Sequence, residues 1–231
     1  WRGRAFVHQS AVNRDDSPLP IIVFIHGLNV ESIQFRWMGG GAEGDVRRIV
    51  SDLIEGGSIP PVIVAAPSSV IPSAITNAVT SWPAFDLDHF LEITTERLRG
   101  VASIDRSRVI IAGHSGGGCN SKGGLSTALK GKTRALAALA IDTCMTRDVA
   151  LELAHAHPST NIIVSWQTIS WPNRPIDDFR SIFLTEARKT PAEPGVVRVL
   201  EYVIPRHPMP HDAMVGLTLK AWLPKLLSAP A

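Results

Sequence analysis

The chain has 231 residues, of which 45% are hydrophobic and 19% are charged, and its formal net charge is +2. This apolar content excludes a disordered chain, and no apolar run reaches the ~20 residues of a membrane-spanning helix. No run of lysine and arginine exceeds two consecutive residues, as in Arg47 and Arg48, so we expect no nucleic-acid-binding surface. At ~150 residues per domain, the length predicts a single domain over 1–231.

Short apolar runs recur along the chain and predict strands. In chain order they are Arg4–His8, Pro20–His26, Pro61–Ala66, Arg108–Gly113, Ala135–Ile141, Asn161–Gln167 and Val196–Ile204. Ala135–Ile141 is ambiguous by itself, and its neighbours favour a strand. Because these runs are apolar almost throughout, rather than alternating, they indicate parallel strands that are covered on both faces.

Longer amphipathic segments lie between these runs and predict helices. They are Gly44–Glu55, Asp86–Val101, Gly117–Leu129, Thr146–His157, Asp177–Lys189 and Asp212–Leu227. The alternation predicts an α/β fold, in which a mostly parallel central sheet carries helices on both faces as a three-layer sandwich. Ligands of such sheets bind outside the carboxyl ends of the strands.

One short segment carries the chemistry that is easiest to read. The pentapeptide Gly113-His-Ser-Gly-Gly117 has the form Gly-x-Ser-x-Gly, directly follows an apolar run and precedes a helical segment. That context is typical of a nucleophile elbow, a sharp turn in which a Cβ at Gly113 or Gly117 would strike neighbouring backbone. The pattern therefore predicts Ser115 as a nucleophile, and the alternative is a glycine-rich turn without chemistry.

Together with Phe24-Ile-His-Gly-Leu-Asn29, this motif resembles the α/β-hydrolase family, and the resemblance extends from Pro20 to the last helix. The segment from Arg4 to His26 looks like the corresponding segment of the compact esterase and depolymerase branch of that family. The resemblance implies a mostly parallel eight-stranded sheet, of which about seven strands are found here. It also implies a catalytic domain with a Ser-His-Asp triad. The short loops between the predicted strands, such as that from Asp142 to Asn161, predict no large lid.

The resemblance further implies where an oxyanion hole lies. Its two donors are expected to be the backbone amides of Leu28, with Asn29 as the close alternative, and of Gly116. His26 ends its strand beside this loop, which favours a structural role over that of a base.

Two histidines compete for the general base, which must reach Ser115. Family order places the base in the loop before the last helix, which favours His211 over His207. Each could instead be a surface loop histidine.

More than one aspartate is a candidate for the triad acid. The loop after Gln167 carries no carboxylate before Asp177, which departs from the common family pattern. Asp142 closes the strand that follows the nucleophile strand along the chain, and some relatives place the acid there, so we favour Asp142. Asp177 and Asp178 stay open as alternatives, although both suit the start of a helix, and a site without an acid stays open as well.

Four tryptophans leave the carboxyl ends of predicted strands, where a large flat side chain suits acyl chains, rings or sugars. Substrate binding is therefore predicted for Trp37, Trp82, Trp166 and Trp171, and simple loop packing is the alternative.

The two cysteines, Cys119 and Cys144, should end up on neighbouring segments. A disulfide between them and two free buried thiols are both compatible with the pattern. A disulfide would imply an oxidising compartment, and we slightly favour export over a cytoplasmic location.

These residues predict a cofactor-free serine hydrolase that cleaves a small or polymeric ester through an acyl-enzyme. An amidase or peptidase acting on a peptide or cell-wall fragment is the alternative enzyme, and a binding module that has lost activity is the alternative of another class. The sequence has no Cys/His metal-ligand spacing, and Gly116–Gly118 lacks the ending of a phosphate-binding loop. The oligomeric state is left open.

Overall fold

The computed structural model of the chain describes residues 2–12, 17–29, 44–68 and 77–228. Within these ranges the strands are β1 (Arg2–Val7), β2 (Leu19–Ile25), β3 (Ile63–Ser68), β4 (Ile104–His114), β5 (Ala137–Ile141), β6 (Asn161–Trp166) and β7 (Arg198–Tyr202). The helices are α1 (Val46–Glu55), α2 (Leu87–Arg97), α3 (Gly124–Ala128), α4 (Arg147–Ala154), α5 (Ile176–Lys189) and α6 (Pro210–Leu227).

The described strands form one seven-stranded sheet in the order β1-β3-β2-β4-β5-β6-β7. Only β1 runs antiparallel to its neighbour, and every other pairing is parallel. The predicted mostly parallel sheet with helices on both faces is therefore confirmed. Because β4 lies between β2 and β5, the loops that leave these three strands meet at one edge of the sheet.

Burial on both faces explains why the strands read as continuous apolar runs. In β2, Ile21, Val23 and Ile25 belong to one apolar cluster, which includes residues of α2, α3, α4 and α5. Ile22 and Phe24 belong to a second cluster, which includes residues of α1 and α6. Successive side chains of a strand point to opposite faces, so a strand covered twice has no solvent-facing position to fill with a polar residue.

Three of the described helices begin with an ordinary side-chain cap. The side chains of Asp45, Asp86 and Thr146 accept backbone N–H groups in the first turns of α1, α2 and α4. None of the helices in the described ranges carries an apolar stretch long enough to cross a membrane.

One predicted helix is wrong in its extent. The segment Gly117–Leu129 is not continuous: a 3₁₀ turn covers Ser115–Gly118, and the α-helix itself begins only at Gly124. Three consecutive glycines disfavour a helix because they lose much backbone freedom when fixed. Gly124 also has a φ of 49°, which interrupts any helix that approaches it from the turn. No long helix therefore points at Ser115.

Candidate active site

The sharpest turn at the carboxyl edge follows β4, which ends at His114. Ser115 has a φ of 54°, in the left-handed region that residues with a side chain rarely adopt. A Cβ at Gly117 would lie 2.2 Å from the backbone oxygen of Ile25, so only glycine fits there. A strained residue held by close backbone packing is common at functional sites. The turn presents Ser115 half-buried at the edge of the sheet.

The loop after β2 passes directly beside the Ser115 side chain. A Cβ built on Gly27 would lie 2.7 Å from Ser115 Cβ and 3.0 Å from its hydroxyl oxygen. A Cβ built on Gly116 would lie 3.3 Å from the backbone nitrogen of Leu28. The Leu28 and Gly116 backbones are therefore neighbours beside the Ser115 hydroxyl, whereas Asn29 is buried one residue further along.

A buried segment before α2 ties these two turns together. The Ser81 hydroxyl donates to the backbone oxygen of Gly116, and the Trp82 indole N–H donates to the backbone oxygen of His26 over 2.8 Å. The Trp82 and His26 rings pack edge to face with centroids 4.8 Å apart. Trp82 is fully buried, so the predicted substrate contact does not fit its position. Its indole supports the loop that carries Gly27.

Asp142 and His211 meet across the same edge of the sheet. Asp142 directly follows β5, with a φ of 47°, and is fully buried. His211 lies in the first turn of α6, and its Nδ1 is 2.6 Å from Asp142 Oδ2. Because a carboxylate oxygen accepts, Nδ1 carries the hydrogen and Nε2 of the neutral ring keeps its lone pair. The His211 ring also packs on His114, with centroids 4.6 Å apart, which places it beside the Ser115 turn.

Asp142 has two further partners, and sequence reasoning missed both. Arg174 Nη1 lies 2.7 Å from Asp142 Oδ1. Gln167 donates its backbone N–H to Oδ1 over 3.2 Å and its side-chain amide to Oδ2 over 2.7 Å. Burial alone would raise the pKa of Asp142, but the hydrogen bonds from His211 and Gln167 and the charge of Arg174 lower it below its usual value. The carboxylate is therefore ionised at neutral pH.

The other tryptophans singled out by the sequence lie in different surroundings. Trp171 is half-buried, its ring is edge-on to the His211 ring at 5.8 Å, and the Arg174 guanidinium lies 4.7 Å from its centroid. Trp166 is only 8% exposed, which leaves little of its ring for a ligand. Trp37 lies outside the described residues.

The alternative acid and base candidates lie elsewhere. Asp177 and Asp178 are exposed in the first turn of α5, where Asp178 is 3.7 Å from Arg147. His207 Nδ1 accepts the backbone N–H of Met209 over 3.0 Å. Among the contacts described for Asp177 and Asp178, none is with a histidine. Of the three candidate acids, Asp142 is therefore the one that contacts His211.

The two cysteines form a disulfide, with Cα atoms 5.0 Å apart. Cys119 follows the 3₁₀ turn that contains Ser115, and Cys144 lies two residues after Asp142. The bridge therefore joins the Ser115 turn covalently to the loop that carries Asp142. No cluster of three or more His, Cys, Asp or Glu side chains that could hold a metal occurs in the described part of the chain.

Neither a protein-family model nor a curated protein sequence matches the chain. Solved structures do match. A ferulic acid esterase has a TM-score of 0.60 at 14% identity, covering 98% of this chain and 99% of that one. A thermostable esterase has a TM-score of 0.61 at 20% identity over 97% of this chain, which spans 58% of that one. An acylaminoacyl peptidase from Pyrococcus horikoshii has a TM-score of 0.55 at 12% identity, covering 96% of this chain and 40% of that one.

These similarities are at the level of the fold. The sheet order, the helices on both faces and the matching structures show that the chain has the α/β-hydrolase fold.

Proposed function

We propose that this chain is a serine hydrolase that cleaves a carboxylic ester through an acyl-enzyme intermediate. The observation that carries the proposal is the hydrogen bond of 2.6 Å between Asp142 and His211 beside the Ser115 turn. An ionised, buried carboxylate that holds Nδ1–H fixes one tautomer of His211 and leaves Nε2 as a base. A hydroxyl group needs such a base because it is a weak nucleophile by itself.

In the proposed mechanism, the Ser115 Oγ attacks the ester carbonyl carbon while His211 Nε2 takes the hydroxyl proton. The carbonyl π electrons move to the oxygen and form a tetrahedral oxyanion. When this intermediate collapses, the bond to the alkoxy group breaks, and the imidazolium returns its proton to the leaving alcohol. A water molecule then attacks the acyl-enzyme by the same steps, which releases the carboxylic acid and restores Ser115.

The oxyanion is proposed to accept the backbone N–H groups of Leu28 and Gly116. The packing of Gly27 against Ser115 and of Gly116 against Leu28 supports this role, because both amides are then close to the nucleophile. Donors that are fixed before the reaction need no reorganisation when the charge develops. Trp171, half-buried beside His211, is the proposed substrate contact among the described tryptophans.

The proposal is tested by labelling the folded protein with a fluorophosphonate probe and locating the adduct by mass spectrometry. We expect one adduct, on Ser115, and none in Ser115→Ala. Ser107→Ala is the matched control, because Ser107 is an exposed serine near the other end of β4. Absence of labelling in folded wild-type protein would favour a binding module of the same fold.

The substrate class is tested with a panel of matched esters and amides. The panel includes esters of hydroxycinnamic acids and N-acyl peptides, because the similar structures include a ferulic acid esterase and an acylaminoacyl peptidase. We expect higher kcat/KM on the esters, since an amine leaving group makes protonation by His211 more demanding. Faster cleavage of the amides would assign the chain to amide hydrolysis instead.

We also propose that the chain acts in an oxidising compartment as a single catalytic unit. The Cys119–Cys144 disulfide supports the first point, because thiols stay reduced in most cytosolic proteins. The second point is supported by the separation of Gly27, Ser115 and His211 along the chain. Thiol titration of the denatured protein, isolated from its own cells under alkylation, should find no free thiol.

A further inference from the structure

We propose that Arg174 is a positioning residue of this site, which orients the Asp142 carboxylate and offsets part of its charge so that His211 works as a base at lower pH. This inference rests on the proposed function, because it assigns Arg174 a role in the action of His211. Nothing in the sequence pattern marks Arg174, which lies in the loop after β6 between Pro172 and Pro175.

Arg174 is held as firmly as a core residue. Its side chain is 1% exposed, and that of Asp142 is 0% exposed. Nη1 donates to the backbone oxygen of Thr143 over 2.8 Å, and Nη2 donates to the backbone oxygen of Gln167. The guanidinium therefore links the loops after β5 and β6, and its planar, preorganised fork suits contacts with several acceptors.

These contacts divide the two oxygens of Asp142 between different tasks. Oδ1 faces Arg174 at 2.7 Å, whereas Oδ2 accepts from His211 at 2.6 Å. Gln167 donates to both oxygens, which fixes the plane of the carboxylate. With Oδ1 occupied by the guanidinium, the carboxylate cannot rotate away from the imidazole without breaking a buried ion pair.

The charge of Arg174 acts on His211 through Asp142. A carboxylate alone would favour the protonated imidazole, because the two groups are in direct contact and the carboxylate is fully buried. A cation on the far side of the carboxylate opposes that preference. Among the described residues, the titratable and charged groups that contact His211 or its carboxylate partner from other elements are Asp142, which directly follows β5, Arg174 from the loop after β6 and the His114 ring from β4. Of these, only Arg174 carries a fixed positive charge.

The experiment compares the pH dependence of kcat/KM on one ester for wild-type protein, Arg174→Gln and Arg174→Lys. Arg174→Gln keeps a donor for Asp142 but removes the charge, so we expect the acidic limb to move upward by about one pH unit. The acidic limb moves upward in either case, whether loss of the cation stabilises the imidazolium or allows Asp142 to become protonated. Arg174→Lys keeps the charge, so we expect its limb within about 0.3 pH unit of wild type, with kcat lowered by the loss of the fork.

An unchanged acidic limb in folded Arg174→Gln would overturn the inference, because a purely structural role alters kcat or stability without moving that limb. If Arg174→Gln does not fold, the NMR titration of His211 in Asp142→Asn and in Asp142→Asn/Arg174→Gln tests the same cation. The carboxylate is neutralised in both, so the His211 midpoint should be lower in the variant that keeps Arg174. Equal midpoints in the two variants would contradict the proposed charge effect.

Failure of the inference and failure of the proposed function give different results. If Ser115→Ala retains full ester hydrolysis, the proposed function is wrong, whatever Arg174 does. If Ser115→Ala is inactive and the Arg174→Gln limb is unmoved, the hydrolase proposal stands and only the role of Arg174 is wrong.

Discussion

His114 donates from Nε2 to the backbone oxygen of His211 over 3.1 Å, so the residue before Ser115 holds the residue proposed as its base. The two rings also pack with a tilt of 34°. The donation requires a hydrogen on Nε2 of His114, because the backbone oxygen can only accept. His114 thereby couples the end of β4 to the start of α6.

We expect His114→Phe to keep the ring contact and lose this hydrogen bond. The loss of about 1 kcal/mol corresponds to a decrease of about fivefold in kcat/KM, with KM little changed. Steady-state kinetics on one ester measures the effect, and His89→Phe, at an exposed position on α2, is the control. Equal kcat/KM in wild type and His114→Phe would show that the contact does not position His211.

Gly27→Ala tests the close approach of the β2 loop to Ser115. The added methyl group would lie 2.7 Å from Ser115 Cβ, so one of the two segments must move. We expect kcat to fall by about 10²-fold, because a displacement near 1 Å in an active site has an effect of this size. Circular dichroism should show an unchanged fold.

Gly57→Ala is the control for that experiment. A Cβ there meets no atom within 4 Å, but the φ of 68° disfavours a side chain. It should lower the free energy of unfolding by about 1–2 kcal/mol and leave kcat unchanged. Comparable kcat in Gly27→Ala and Gly57→Ala would argue against the proposed oxyanion loop.

Removal of the disulfide in Cys119→Ala/Cys144→Ala should lower the free energy of unfolding. The bridge closes a loop with a sequence separation of 25 residues. A loop of this length corresponds to about 3–4 kcal/mol of restricted unfolded-state entropy. Urea titration measures the difference. Reductant should lower the stability of wild type toward that of the double variant and leave the variant itself unaffected.

The ionisation of Asp142 should appear in the pH dependence of stability. Its pKa is lowered in the folded protein, against the raising effect of burial, by His211, Gln167 and Arg174. A lowered folded-state pKa contributes stability above the unfolded value of about 3.9, and this contribution is lost as the pH falls through the folded-state pKa.

The measurement is the free energy of unfolding of wild type and Asp142→Asn between neutral pH and pH 2. The wild-type curve should decline more steeply below about pH 4, because only the wild type must protonate this carboxylate. Parallel curves over the acid range would mean that Asp142 titrates normally in the fold.

Local sequence patterns were sufficient to predict the strands of the sheet. The apolar runs placed each described strand, because a parallel strand buried on two faces leaves a continuous signal in the sequence. The position of Asp142 at the carboxyl edge was predictable for a related reason, because an aspartate that ends such a run lies at that edge, and its role in catalysis stays a prediction. The prediction of its proposed partner, His211, depended in addition on the order of catalytic residues along the chain that the family resemblance implies.

The parts that were not predictable depend on contacts between distant segments. Trp82 is an aromatic residue after a predicted strand, which favoured substrate contact in the sequence. Only the three-dimensional packing shows that its indole N–H donates to the backbone oxygen of His26. Arg174 has no sequence signal, because its partner Asp142 is 32 positions away along the chain and the pairing depends on the order of β5 and β6 in the sheet. The helix predicted to begin at Gly117 is wrong in its extent, because glycines adopt backbone conformations that the spacing of apolar residues does not reveal.

The buried pair of Asp142 and Arg174 also restricts how this site can change over generations. Replacing either residue alone leaves an uncompensated charge in the interior, at a cost of about 3–5 kcal/mol, which is a large share of the stability of a typical domain. Single substitutions at either position are therefore disfavoured, which keeps the acid at the end of β5 once the arginine is in place.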